Sequence, residues 1–195
     1  MPWATPEEVS RVIGGLGRTI FVADVKVMPD SKAGARTDRA VRFHTDHHRA
    51  DLIAWHCIEQ TDEGGETVLL DGDELLRRLR PSVLERLRGL RIFGPKVFEG
   101  EPERFPFLSQ RHGREKIYYP FWMTKEIEAR QRVALLAFKR LTEEEQCMRC
   151  LLQPGDLLVI DNGRMLHGRA AVNGMRRRFV RRYWIEERNG IGGDA

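Results

Sequence analysis

The chain has 195 residues, 41% of them hydrophobic and 32% charged, an ordinary balance for a globular protein with a sizeable core. The formal net charge of +4, from 33 basic and 29 acidic residues, is too mild to mark a nucleic-acid binder by itself. The cluster Arg176, Arg177, Arg178, Arg181 and Arg182 suits either nucleic acid or an anion pocket. Cys57, Cys147 and Cys150 give no even disulfide framework. No apolar run is long enough to span a membrane, and the start shows no signal-peptide pattern. A single domain over residues 1–195 in the cytoplasm is the expectation.

In chain order, TPEEVSRVIGGLG reads as a short helix with Thr5 as cap, Glu8 completing the capping box, and Gly14 and Gly15 as the stop. Residues 18–29 are rich in β-branched side chains and predict a strand. Residues 31–38 predict a loop, and 40–46 a second strand with Val41 and Phe43 on one face. Residues 51–61 read as a buried strand. Gly64 and Gly65 make a turn before a strand over 66–71. Residues 72–90 read as two helical pieces divided near Pro81, with Val83, Leu84, Leu87 and Leu90 at helical spacing.

The stretch 93–116, rich in Gly, Pro, Phe and charge, predicts a long surface loop or lid. KIYYPF returns to strand. Residues 125–150 predict a helix burying Ile127, Leu135, Leu136, Phe138 and Leu141, with the Cys147-x-x-Cys150 pair at its end as a structural or incidental feature. A turn at Pro154 and Gly155 leads into the strand LLVI, a second turn, and His167. Residues 177–187 close as a strand. Many short strands with few helices point to a β-barrel or a double-sheet jelly roll edged by helices.

The densest chemistry lies in RFHTDHH, residues 42–48. On a strand, residues two apart share a face, so His44 and Asp46 can converge on one ion. His167 is the candidate third ligand. Two histidines and one carboxylate leave positions open on an ion, the facial arrangement of non-haem Fe(II) oxygenases. His47 and His48 read as pocket or surface residues, His56 as a core histidine, and His112 as a surface residue. Arg178 and Arg182 stand four apart on the last strand and face one side. A buried guanidinium needs an anion, and a dicarboxylic cosubstrate would supply one.

The segments FHTD, EGGETVLLD, LQPGDLLVIDNGRMLHGR and RRRFVRRY, in this order between residues 43 and about 185, resemble the taurine dioxygenase family of Fe(II)- and 2-oxoglutarate-dependent oxygenases, which also holds γ-butyrobetaine hydroxylase. The resemblance implies a double-stranded β-helix, or jelly roll, mainly β with flanking helices. It implies that His44, Asp46 and His167 bind Fe(II). Thr67 would donate to the distal carboxylate of 2-oxoglutarate, Arg182 would pair with that same carboxylate, and Arg178 would lie near the keto-acid end.

The implied reaction uses O2 and 2-oxoglutarate to hydroxylate an unactivated C–H bond, with release of succinate and CO2. Asp46 argues against halogenation. Desaturation, cyclisation or epoxidation would use the same site. A basic nucleic-acid domain built on residues 176–182, and a jelly roll serving only as a scaffold, are the rivals from other classes. Only 43 residues precede His44, fewer than in familiar members. This implies a compact variant, or a pocket completed by another subunit in a homodimer. RTDRAVR, upstream of His44, lacks the asparagine of a taurine pocket. His47, His48, Arg49 and Arg169 suit a small, carboxylate-bearing substrate such as an amino acid or a biosynthetic intermediate. Tyr118, Tyr119, Phe121 and Trp122 would wall a pocket or pack the core.

Overall fold

Two periodicities build the chain, period two for its strands and about 3.6 for its helices. A computed structural model describes residues 5–27, 36–61, 63–111, 113–123, 127–173 and 178–187. Helix α1 (Pro6–Leu16) leads into β1 (Gly17–Lys26), β2 (Val41–His44), β3 (Leu52–Glu59) and β4 (Thr67–Asp71). Helices α2 (Gly72–Arg77) and α3 (Pro81–Arg88) follow, then β5 (Arg91–Phe93), β6 (Arg104–Pro106), β7 (Leu108–Arg111) and β8 (Arg114–Ile117). A 3-10 turn at Phe121–Met123 precedes α4 (Ala129–Glu144), β9 (Met148–Cys150), β10 (Leu157–Asp161), β11 (Met165–Arg169) and β12 (Phe179–Glu187).

Two four-stranded sheets face each other, in the orders β1-β12-β3-β10 and β2-β11-β4-β9. Their paired strands run antiparallel. This is the jelly roll expected from the strand pattern. The strands that read as continuous apolar runs are those buried on both faces. On β3, Trp55 and Ile53 join Leu69, Ile160, Val180 and Trp184 between the sheets. Ala54, on the opposite face, packs with Ile185 under Val9 and Ile13 of α1. The outer face of the sheet with the shorter strands, β2-β11-β4-β9 (the smaller sheet), lies, through Leu70 and Leu166, on Leu75, Leu87, Phe107 and Phe138. Among the described residues no helix is long and apolar enough to cross a membrane.

Thr5 and Glu8 form the capping box, but α1 runs through Gly14 and Gly15, which face open space. The chain turns at Gly17 instead, where a Cβ would sit 2.4 Å from the Glu186 carbonyl oxygen, so only glycine lets β1 start against β12. Strand β2 ends at His44, two residues earlier than expected. Thr45 there leaves the ladder: its N–H donates to the Tyr119 carbonyl at 3.2 Å, and its hydroxyl accepts from the Tyr119 N–H at 2.8 Å.

Residues 93–116 are not a lid-like loop. Two hairpins, β5–β6 and β7–β8, bury Phe105 and Phe107. Their strands are too short for alternation to show against the Gly, Pro and charge between them. The strand expected over KIYYPF ends at Ile117. The helix expected over 125–150 spans only Ala129–Glu144. Residues 148–150 instead form an edge strand on β4, with Cys150 opposite Thr67, so the Cys147/Cys150 pair is not helical. Leu136 is 56% exposed, because Ala134, Leu135, Phe138 and Thr142 define the buried stripe of α4. Met28, Pro29, residues 31–35, His112, Arg176 and Arg177 lie outside the described residues.

Phe107 is fully buried and stacks edge-on against Phe138 and Tyr119. Phe107→Ala should therefore destabilise the protein by about 3–5 kcal/mol, read from urea unfolding. A loss under about 1 kcal/mol would return the hairpin region to a surface role.

Candidate metal centre and anion pocket

Strand register brings the first two groups together. His44 on β2 lies directly opposite His167 on β11. Asp46 follows His44 past the end of β2, so its approach is set by the departing loop and not by strand alternation. The Nε2 atoms of His44 and His167 are each 3.8 Å from Asp46 Oδ1. One donor atom from each of the three residues lies within 4.8 Å of the others. All three side chains are buried.

The donor set fits a divalent metal on its chemistry. His44 Nδ1 lies 2.8 Å from the Arg42 carbonyl oxygen. It therefore carries the ring proton and leaves the Nε2 lone pair facing Asp46. Burial, above all, lowers the pKa of both histidines, so both rings are neutral and able to ligate. His167 Nδ1 is buried without a hydrogen-bond partner among the described residues. Trp55 packs edge-on to His167, and Trp122, 46% exposed, edge-on to His44.

Asp46 is ionised despite its burial. Desolvation pushes its pKa up, and the charge of Arg182, with the hydrogen bond from Trp184, pulls it below the usual carboxylate value. Arg182 Nη1 donates to both oxygens at 2.9 and 2.8 Å. Trp184 Nε1 donates to Oδ2 at 2.7 Å. The Asp46 backbone N–H donates to Asn162 Oδ1 at 2.8 Å, and Asn162 Nδ2 donates to the Ala50 carbonyl at 2.9 Å. Trp184 and Asn162 are site residues that sequence reasoning missed. Trp184 was within reach, because it shares the Arg182 face by period two. Asn162 sits in the quoted IDNGR turn with nothing local to mark its role.

Arg178 and Thr67 make the second half of the site. Gly64 and Gly65 adopt φ of 74° and 73°, a conformation suited to glycine. This turn aims the Gly65 carbonyl at Arg178, whose Nε donates to it at 2.9 Å. Arg178 Nη2 lies 3.5 Å from Thr67 Oγ1. Burial lowers the Arg178 pKa to about 10. Among the described residues no carboxylate is placed on this guanidinium, a costly arrangement without an anion. His44, Trp55, Thr67, His167, Arg178 and Arg182 share a cavity of about 50 Å³.

This placement differs from the arrangement that the resemblance implied for Thr67 and Arg182. Thr67 neighbours Arg178, while Arg182 binds Asp46. Both arginines line the cavity, but Arg178, just before β12, and Arg182, on it, stand about 13 Å apart along the extended chain, and register decides which meets Thr67. His47 is buried and stacked on Trp184 at 5.4 Å, and His48 is half-buried. His56 is buried, as expected for a core histidine. Arg169 holds the carbonyls of Thr37 and Arg39. Tyr118 and Tyr119 are core residues, whereas Phe121 and Trp122 lie against His44. A larger cavity of about 710 Å³ between the smaller sheet and α4 contains none of the three clustered donors.

Fold and donor set together define a jelly-roll protein of the two-histidine, one-carboxylate class. The chain belongs to the family of the taurine catabolism dioxygenase TauD, TfdA family, whose pattern matches residues 5–184. No curated protein matches the sequence. Among solved structures, the chain is similar to asparagine oxygenase in complex with Fe(II), 2S,3S-3-hydroxyasparagine and succinate. The TM-score is 0.76 at 18% identity, covering 91% of this chain and 63% of that one. It is also similar to a mutant of the non-heme iron oxygenase OrfP in complex with (3S)-hydroxy-L-Arg, with TM-score 0.74, 18% identity and coverage of 94% and 66%. The PvcB protein from Pseudomonas aeruginosa gives TM-score 0.68, 19% identity and coverage of 95% and 72%. The chain thus spans just under two thirds of the first two, and at these identities the likeness is one of fold.

The Asp46–Arg182 pair generates a pH-dependent prediction. Asp46's folded pKa is depressed, so its contribution to stability is present above the unfolded carboxylate pKa and is lost as pH falls through the folded value. In metal-free protein, Arg182→Met should cost about 3–5 kcal/mol at neutral pH, because a buried charge loses its partner. The gap from wild type should narrow as pH is lowered toward about 4. Urea unfolding across that range is the measurement, and a gap independent of pH would show that the pair does not anchor the site.

Proposed function

We propose that the protein is an Fe(II)- and 2-oxoglutarate-dependent dioxygenase. It hydroxylates an unactivated C–H bond of a small, polar, carboxylate-bearing substrate of amino-acid type and releases succinate and CO2. The observation that carries this reading is one cavity lined by His44 and His167, which cluster with Asp46, and by Arg178 beside Thr67, with no carboxylate on that guanidinium among the described residues. A metal ligand set alone would suit many reactions. A buried guanidinium and hydroxyl at the other end of the same cavity suit a cosubstrate with a second carboxylate.

His44, Asp46 and His167 would hold the iron. Iron with 2-oxoglutarate and O2 supplies the oxidising power that replaces hydrogen by hydroxyl on carbon. The chain's own residues hold, orient and shield. The Arg42 carbonyl fixes the His44 ring, and Arg182 with Trp184 keeps Asp46 anionic and aimed. Arg178 and Thr67 take the distal carboxylate of 2-oxoglutarate through charge-assisted hydrogen bonds. Arg182, whose Nε is buried and without a partner among the described residues, suits the anion at the metal end. Trp55 and Val180 line the cavity and exclude water from it.

The similar structures support the reading of substrate class. By their descriptions they hold Fe with alpha-ketoglutaric acid, or succinate with hydroxylated asparagine or arginine. The rival reading, a nucleic-acid surface on the arginine cluster, lacks an exposed stripe among the described residues. Arg178 lies buried at Gly65, Arg181 pairs with Asp24 at 2.7 Å, and Arg182 binds Asp46.

Anaerobic titration of 2-oxoglutarate into the iron-loaded protein tests this directly, read by the visible charge-transfer band of the chelate. His167→Ala should abolish the band. Arg178→Met should weaken 2-oxoglutarate binding by roughly 30-fold or more, since a lost buried charge pair is worth about 2 kcal/mol or more, with the iron content unchanged. A wild type that binds iron but never forms the band would end the oxygenase reading. Unchanged affinity in Arg178→Met would return the distal carboxylate to Arg182. Succinate formation with a panel of amino acids and related carboxylates then tests the substrate class.

A further inference from the structure

The histidines that follow Asp46 form a cluster the reaction leaves unused. His47, His48 and Glu101 place one donor atom each within 4.8 Å of the others. His47 Nε2 is 3.2 Å from Glu101 Oε2, and His48 Nε2 is 3.8 Å from Glu101 Oε1. This spacing is as tight as that of His44, Asp46 and His167 at 3.8 Å, and it suits donors converging on one ion at about 2.0–2.2 Å.

We propose that His47, His48 and Glu101 form a second binding site, separate from the iron site, for a divalent transition-metal cation.

The charges around the cluster ask for a cation. The side chains of His47 and Glu101 are only 0% and 7% exposed. The neighbouring cations already have carboxylates of their own: Arg182 has Asp46, Lys116 has Asp51 at 3.1 Å, and Arg49 has Glu186 at 3.7 Å. Among the described residues Glu101 faces the two imidazoles and has no Lys or Arg paired to it. Its Oε2 accepts the N–H groups of Val97 and Phe98 at 3.2 and 3.0 Å, which fix the carboxylate. Its Oε1, like His47 Nε2, is buried with no aligned hydrogen-bond partner among the described residues.

The aromatic packing preorganises the donors. Phe105 stacks on His48 at 3.6 Å, and Trp184 and Phe98 hold His47 at 5.4 and 5.2 Å. His47 Nδ1 accepts the Arg49 N–H at 3.3 Å, a contact at the long limit. Coordination through Nε2 moves the ring proton to Nδ1 and gives up that contact. Two imidazoles with a carboxylate select first-row cations such as Zn(II) or Co(II) over Ca(II) or Mg(II), which prefer all-oxygen shells.

Equilibrium dialysis of metal-free protein against Co(II), with metal analysis and the cobalt d–d spectrum, is the experiment. Wild type should take up about two equivalents per chain. Glu101→Gln and, at the half-exposed ring, His48→Ala should each fall to about one, with the urea midpoint of the metal-free protein as the control for folding. His167→Ala should also fall to about one, by losing the other site. In the His167→Ala background, Co(II) should still raise Tm, and adding His48→Ala should remove that rise. One equivalent in wild type, retained in both Glu101→Gln and His48→Ala, overturns the proposal. The two sites fail separately: indifference to Glu101→Gln strikes this one, and indifference to His167→Ala strikes the iron site.

Discussion

The carboxylate of Asp46 is ionised between two apolar sheets, and much of the surrounding structure follows from what makes that tolerable. A buried carboxylate needs several donors and a compensating charge. Here they come from separated parts of the chain: Arg182 and Trp184 on β12, and Asn162 from the turn between β10 and β11. Asn162 also ties down the Ala50 carbonyl, which fixes the loop carrying Asp46, His47 and His48. One anion therefore links the larger sheet, which contributes β12, to the smaller sheet, which contributes His44 and His167. A shift of β12 by one residue would turn Arg182, Trp184 and Arg178 to the wrong face together.

Much of this is legible in the sequence, for an identifiable reason. Period-two alternation in 178–187 and the apolar run of β3 depend on local pattern alone. So does the sharing of one face by Arg178 and Arg182. The pairing of His44 with His167 is legible only through chemistry, since nothing local predicts that β2 and β11 lie side by side. Strand alternation is an incomplete reason for the relation between His44 and Asp46. Their convergence depends on Thr45 leaving the strand to pair with Tyr119, a contact between residues far apart in the chain.

The parts that the sequence conceals share a physical cause. The hairpins β5–β6 and β7–β8 have strands of three or four residues, too short for alternation to outweigh glycine, proline and charge. Helix α4 ends at Glu144 because the chain beyond it pairs with β4, an edge interaction that local propensity does not reveal. The different neighbours of Arg178 and Arg182 have the same origin. Periodicity sets their common face, while their positions relative to Thr67 follow from β12 running antiparallel beside β3, with Val180 opposite Cys57 and Arg182 opposite Trp55.

The two arginines also show how stability and function divide within one strand. Arg182 has a carboxylate in the folded protein, so its charge works for the fold. Arg178 is more deeply withdrawn from water, yet among the described residues it meets only a carbonyl and a hydroxyl oxygen. Its burial is an unfavourable term that the surrounding packing must carry until an anion arrives. On the proposed function, a dicarboxylate entering the cavity would relieve that term, so its binding would include the answering of an existing charge as well as the making of new contacts. On that reading the site would be ordered in advance for its ligand, and little of the binding free energy would go into arranging side chains. The arginine that looks less stabilising of the two is thus the one whose chemistry most narrowly limits what the cavity could hold.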